Sequence, residues 1–194
     1  MGTTAAPKLD LPESAAPVDL GNEGWELRRP ARAEADAARN LQRLAFGLNG
    51  SCPPHPGSAD ELRVLVRDGE VLSCLTLIHA RLHVGGVEVP MGGIRHVATH
   101  PDQQNKGYAS ALMRDTLACM LRCGLPLSLL FPFSFRYYRK FGYELGGNHC
   151  VLWCRPNSVP AFLERRDVRP AIPADAPALA RAYRGHWAGR ACTM

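Results

Sequence analysis

The stretch from Ile94 to Cys123 limits the fold more than any other. The run Ile94 to Thr99 is read as an alternating, half-buried strand. Pro101 follows; it cannot donate to a ladder, so the strand ends near it. A polar loop, Asp102 to Lys106, then leads into a run with helical spacing from about Tyr108 to Cys123. The prediction is strand, tight loop, helix, with the loop's amides at the helix N-terminus. The first amides of a helix lack internal partners and lie at the positive end of its dipole, a ready site for phosphate. Gln104-x-x-Gly107-x-Ala109 suits that purpose. Gly107 offers no Cβ to a pyrophosphate and turns without strain, Ala109 is small enough for close packing, and Lys106 adds positive charge. The spacing is neither the dinucleotide fingerprint nor a Walker loop. Taken alone, it is also what an ordinary strand-to-helix turn looks like.

Composition bounds the rest. At 194 residues with 46% hydrophobic residues, one domain with a real core is expected, with room for an appendage. The net charge is +5 and the pI about 9.0. The basic residues are dispersed, with no Lys/Arg block of five or more, so the charge points to solubility and not to nucleic-acid binding. The 7 cysteines form no Cys-x-x-Cys pair. Cys119/Cys123 and Cys150/Cys154 are spaced atypically for zinc, so free thiols in a reducing compartment and no metal are expected. No run approaches a membrane span and no secretory signal is evident; a cytoplasmic location without membrane contact is the default.

Along the chain, residues 1–23 read as a disordered leader, Trp25 to Arg28 as a strand, and Ala31 to Phe46 as a helix with Leu41, Leu44 and Ala45 on one face. Gly47 to Asp60 is a long, broken connection of the kind that is often functional. Strands are expected at Leu62–Val66 and Val71–Leu82 around an Asp68-Gly69 turn, with a second hairpin at Gly85-Gly86 before the central strand. The central helix carries Leu112, Met113, Thr116, Leu117, Met120 and Leu121 as its apolar stripe. Pro126–Phe131 reads as a buried strand, Phe133–Phe141 as an aromatic helix, and Tyr143–Leu145 with Cys150–Trp153 as a final hairpin. The order predicts a mixed α/β domain, one twisted sheet flanked by helices.

Two stretches together carry a family resemblance. One is Val97-Ala-Thr-His-Pro-Asp-Gln-Gln-Asn-Lys-Gly-Tyr-Ala. The other is Pro126-Leu-Ser-Leu-Leu-Phe-Pro-Phe-Ser-Phe-Arg-Tyr-Tyr-Arg-Lys-Phe-Gly-Tyr. They resemble the acyl-coenzyme A loop and the Phe-Tyr-x-x-Phe-Gly-Phe/Tyr segment of GNAT acetyltransferases. The Pro-Leu-Ser-x-Leu-x-Pro-Phe wording is most similar to Eis-type (enhanced intracellular survival) enzymes. The resemblance spans about residues 25–155, giving a GNAT domain at 24–156. Val168-Arg-Pro-Ala-Ile-Pro-Ala-Asp echoes Leu27-Arg-Arg-Pro-Ala-Arg-Ala-Glu, so 157–194 is expected to be a linker and the start of a second GNAT-like domain, as in Eis-type proteins. A C-terminal helix with an Ala-rich face is the plainer alternative.

The resemblance implies transfer from acetyl coenzyme A (acetyl-CoA) to a primary amine of aminoglycoside, polyamine or lysine type. Val97, Ala98 and Thr99 would pair with pantetheine through their main chain. Gln104, Asn105, Lys106, Gly107, Tyr108, Ala109 and Ser110 would hold the pyrophosphate, and Phe133 and Ser134 would border the cofactor from the other side. Tyr138 is the candidate acid for the leaving thiolate, with Tyr137 as runner-up. The base is open among His96, His100 and Glu88, and Asp60, Glu61, Glu26 and Asp36 are the acids available to a cationic substrate. Eis-type relatives form symmetric oligomers, so a homo-oligomer is among the expected states. A non-catalytic acyl-CoA-binding domain is the alternative function.

Overall fold

Two tight hairpins build the centre of the sheet. The computed structural model describes residues 24–47, 59–147, 153–155, 158, 169–187 and 192–193. The expected leader, most of the 47–60 connection and Cys150–Leu152 of the final hairpin lie outside the described residues. Strand β2 (Ala59–Arg67), β3 (Glu70–Val84) and β4 (Val87–Thr99) are antiparallel. Their turns use Asp68-Gly69 (φ 51° and 81°) and Gly85-Gly86 (φ 56° and 84°), the left-handed pairs that match hairpin twist. β1 (Trp25–Arg28) adds antiparallel to β2, and β5 (Leu127–Leu130) adds parallel to β4, giving the order β1-β2-β3-β4-β5. A two-residue β6 (Cys192–Thr193) pairs with the far end of β3.

Helices cover both faces, which is the expected mixed α/β arrangement. Ala38 and Leu41 of α1 (Arg32–Phe46) pack on Val64, Val66, Cys74 and Ala98. Leu112, Met113 and Met120 of α2 (Tyr108–Arg122) pack on Leu65, Leu75, Leu77 and Ile94 across the sheet. Gly92 of β4 brings α2 close, since a Cβ there would lie 2.3 Å from Met120 Cε. A one-turn 3-10 helix, Pro101–Gln103, precedes α2, and the short α3 (Phe135–Arg139) follows β5. The C-terminal α4 spans Ala176–Trp187.

Several expectations need correction. The central strand begins at Val87, not Ile94, because the Gly85-Gly86 turn folds it directly onto β3. The aromatic helix is confined to Phe135–Arg139, since Ser134 caps it by accepting from Tyr137 N. Tyr143–Leu145 forms no strand; Tyr143 instead turns its ring towards Tyr138 and bonds Ser128 Oγ through its hydroxyl. Leu44 is 79% and Leu121 74% exposed, and Ala45 is also exposed. The rest of the expected stripes, Leu41 on α1 and Leu112, Met113, Thr116, Leu117 and Met120 on α2, does face the core. Gln42 turns inward from α1, and Asp115, only 1% exposed, turns inward from α2.

Asp115 is buried because Arg63 meets it at 2.5 Å. Arg63 also donates to Glu61 at 3.0 Å, and Glu61 accepts from Arg29 at 3.0 Å. His79 Nε2 lies 3.5 Å from Glu61, an ion-pair distance without hydrogen-bond alignment. Burial alone would raise the Glu61 carboxyl, but the His79 contact and the bonds and charges of Arg29 and Arg63 hold it at about 2. An unfolded Glu titrates near 4.5, so the unfolded chain binds more protons between those values. Glu61 therefore contributes stability above about pH 4.5 that is lost as pH falls towards 2. Chemical denaturation between pH 5 and 3 should show a shallower loss for Glu61→Gln than for wild type. Asp115→Asn should destabilise by about 1.5–3 kcal/mol, the loss of a charge-assisted bond to an arginine that keeps Glu61.

Candidate functional site

Strand β4 carries an interruption where the predicted alternation looked regular. Cys74 pairs with Ala98 and Thr76 with Arg95, so His96 and Val97 together oppose Leu75. This is a β-bulge, which re-aims the residues after it. His96 takes the left-handed conformation, φ 52°, at a cost of roughly 1 kcal/mol for a residue other than glycine. The bulge is braced from α1. Gln42 Nε2 donates to His96 O and to Thr76 Oγ1, both at 3.1 Å. Beyond it, Ser73 Oγ donates to Ala98 O and pairs with Thr99 Oγ1, each at 3.0 Å.

The bulge lies beside an opening. β5 pairs with β4 only from Met91 to Ile94. Among the described residues no strand faces β4 on that side from Arg95 to Thr99. This leaves an exposed length of strand edge that can accept an extended chain by main-chain hydrogen bonds. Val97 packs into the core on the α2 face, whereas Ala98 packs on the α1 face and offers only its backbone.

At the end of β4 the loop Gln104–Gly107 is exposed. Asn105 (φ 62°) and Gly107 (φ 87°) are both left-handed, and Gly107 caps α2. A Cβ on Gly107 would meet nothing within 4 Å, so its need for glycine is conformational and the space before it is open. The first intrahelical bond runs from Ala111 N to Gly107 O. The amides of Tyr108, Ala109 and Ser110 thus have no partner within the helix. Lys106 extends beside them, with its ammonium donating to Gln103 Oε1 at 2.8 Å. Gln104 is exposed and its amide bonds Pro101 O at 3.4 Å. Tyr108 offers the loop its backbone amide. Its ring is buried edge-on against Trp25, centroids 4.9 Å apart, so only its backbone can serve the loop. Unpartnered amides at a helix N-terminus beside a lysine are suited to an anionic group.

Helix α3 closes the α2 side. Tyr138 is 4% exposed and packs against Phe133, Tyr137 and Tyr143, in the same cluster as Val97. Its hydroxyl has no hydrogen-bond partner among the described residues, yet it is not one of the fully buried unpaired atoms; it keeps a path to solvent. Burial, with smaller contributions from Tyr137 and Tyr143, pushes the phenol up to about 12. Tyr137 approaches Ser110 Oγ at 3.4 Å, tying α3 to the phosphate loop. Phe133 is 73% exposed and lies over both tyrosines. The Ser134 hydroxyl is taken up by capping.

The remaining candidates separate by position. Glu88 pairs with Arg81 at 2.9 Å near the β3–β4 turn, eight residues or about 26 Å from the bulge along an extended strand. His100 is exposed at the strand's end, 3.9 Å from Asp102. His96 alone is at the bulge. The four acids considered for a cationic substrate are each ion-paired: Glu26 with Arg28, Asp36 with Arg39, Asp60 with Arg95, and Glu61 with Arg29 and Arg63. Burial pushes the Cys74 thiol to about 12 and the Cys123 thiol to about 11, so neither is a nucleophile near neutral pH. No group of three or more metal-ligating side chains occurs among the described residues.

Two bracing residues, Gln42 and Ser73, are absent from the sequence reading. Each acts through a partner distant in the chain, and no local pattern marks it.

The fold agrees with known proteins. A GCN5-related N-acetyltransferase from Kribbella flavida is 28% identical, with a TM-score of 0.55, over 63% of this chain and 34% of that one. A GNAT family acetyltransferase from Brucella melitensis, solved with acetyl-CoA, is 22% identical over 64% of this chain and 85% of that one, TM-score 0.51. Eis1 from Mycobacterium abscessus is 23% identical over 61% of this chain and 30% of that one, TM-score 0.52. At their lower identity the last two speak to the fold. The chain spans about a third of the length of the Kribbella protein. A comparison with curated protein sequences returned no match. Residues 26–146 match the family model described as "Acetyltransferase (GNAT) domain", more than half of the chain, and the protein belongs to the GNAT acetyltransferase family.

Proposed function

We propose that residues 24–147 form the catalytic domain of an acetyl-CoA-dependent N-acetyltransferase that acylates a primary amine by direct attack. The observation that carries this reading is the open edge of β4 at the bulge. It has the unpartnered amides of α2 at one end and Tyr138 beside Val97 on one face. Pantetheine would lie along Val97–Thr99 as a pseudo-strand, with the diphosphate on the amides from Asn105 to Ser110. Acetyl-CoA, as found in the Brucella structure, supplies the activated acetyl group. The buried thiols favour direct transfer over an acyl-cysteine route.

Magnitudes define the role of Tyr138. At about 12 the phenol is fully protonated near neutral pH. Complete transfer to a free thiolate of pKa ~8.5 would be uphill by about 5 kcal/mol. Tyr138 therefore works as a hydrogen-bond donor to sulfur while charge develops there, and the departing thiolate takes its proton from solvent after the bond breaks.

We assign the finer likeness to Eis-type enzymes, on the Pro126–Phe133 wording. A duplicated clamp supports the start of a second domain near residue 169. Arg28 grips Glu34 with two bonds (2.6 and 2.9 Å) and Ala31 N donates to Glu34 at 2.7 Å. Arg169 grips Asp175 with two bonds (2.7 and 2.8 Å) and Ile172 N donates to Asp175 at 2.9 Å. Arginine, cap and acid recur at the same spacing, each set opening a helix.

Calorimetry with acetyl-CoA tests the cradle. Gly107→Glu should weaken binding at least about 30-fold. The fold should lose only the roughly 1–2 kcal/mol of a left-handed non-glycine residue. Equal binding by both forms would remove the proposal. Tyr138→Phe loses no hydrogen bond, so it should keep its stability and acetyl-CoA affinity while turnover falls about 10- to 100-fold. Because the phenol titrates near 12, the wild-type profile should show no basic limb from this group below about pH 10. Firm cofactor binding without thiol release on any diamine, aminoglycoside or lysine peptide would favour the non-catalytic alternative.

A further inference from the structure

His96 occupies the one bulge position where glycine would be free of strain. The backbone contact that fixes the bulge, Gln42 to His96 O, uses no imidazole. The ring is half-buried and packs edge-on against Phe46 of α1, centroids 5.2 Å apart. It therefore belongs to the α1 face, while Val97, next in the chain, packs on the α2 face with Tyr138. At one bulge the protein presents an imidazole on one side of the open strand edge and a phenol on the other. A thioester lying along that edge would have its sulfur towards Tyr138 and its carbonyl carbon open to attack from the side of α1.

We propose that His96 is the general base, taking the proton from the acceptor nitrogen as it attacks over the α1 face. This rests on the acetyltransferase reading above. A free amine, supplied by ionisation in solvent, forms the C–N bond and the carbonyl becomes an oxyanion. The nitrogen, now positively charged, passes one proton to His96. The oxyanion collapses and the C–S bond breaks with its electron pair on sulfur, to which Tyr138 donates a hydrogen bond. Solvent carries the His96 proton to the thiolate, so amine and thioester yield amide and thiol with no net proton change. An isolated lysine-type ammonium, near 10.4, would give its proton to a histidine only reluctantly; the nitrogen becomes far more acidic once the C–N bond forms.

The surroundings favour a neutral, accepting ring. Burial first, then the charge of Arg95 on the same strand, lower the His96 pKa from its usual 6.5. Asp60 of β2 opposes this but is held by Arg95 at 2.5 Å. From α1 the ring meets Phe46, and Gln42 links the same turn to Thr76 of β3, all uncharged.

The test is His96→Gly in the full chain, with imidazole added back. Glycine removes the ring and relieves the left-handed strain, so the melting temperature should hold or rise. Acetyl-CoA affinity should stay within about threefold. Turnover with a diamine, aminoglycoside or lysine peptide should fall at least about 100-fold. Added imidazole should restore part of it, increasingly as pH rises through the free imidazole pKa. His96→Asn, which tolerates the same backbone, should be equally slow and not rescued. Unchanged turnover in His96→Gly, or a slow variant that binds acetyl-CoA normally and ignores imidazole, overturns the assignment. A wild type that fails to bind acetyl-CoA, or turns over none of the three acceptors, overturns the acetyltransferase reading and this with it.

Discussion

The site depends on one hydrogen bond across 54 residues, from Gln42 on α1 to the carbonyl of His96. It fixes the bulge, and the bulge decides which way β4 faces. Ile94 lies on the α2 face and Arg95 on the α1 face with Asp60. A strand in strict register would carry Val97 to the α1 face and Ala98 to the α2 face. The extra residue reverses that order, because a one-residue slip exchanges faces. Val97 thereby joins Tyr138, and Ala98 fills the small gap beside Ala38 and Cys74. An unbraced β4 would pair more regularly with β3 and lose the contact between the open edge and the aromatic helix.

The local parts of this arrangement were legible from the chain alone. A strand ending before Pro101, the Gln104–Gly107 loop and the helical run after it are short-range patterns, and all three appear in the structure, although the bulge interrupts the strand's alternation. Gly107 also proved a left-handed cap with open space before it. Missed features are those whose partners lie far away in sequence. Leu44 and Leu121 looked like core but face solvent, because Gln42 and Asp115 claim the inward positions through Thr76, His96 and Arg63. Tyr108, expected at the loop through its amide, also supports the loop from the core through its ring against Trp25. The bulge did leave one trace: Ile94 and Val97, three apart, share a face where a regular strand allows only two or four.

Rigidity explains why so much buried polarity is spent away from the opening. Helix α2 is pinned at three levels: Tyr108 against Trp25, Asp115 against Arg63, and Met120 over Gly92. Asp115 and Tyr108 are seven residues apart, roughly 10 Å along the axis, so the ion pair fixes the direction in which the N-terminal amides point. A cradle built from backbone N–H groups has no rotamers to adjust, so its affinity for a diphosphate depends on the helix being held in place before the ligand arrives. The Arg63–Asp115–Glu61 network is thus better understood as the mount for the site than as part of it. Its acids are consumed by arginines and leave no spare charge for an acceptor amine. On the proposed reading, main-chain carbonyls and aromatic rings near the bulge, where Phe46 and His96 already meet, are the groups open to that amine, since Glu26, Asp36, Asp60 and Glu61 are each ion-paired.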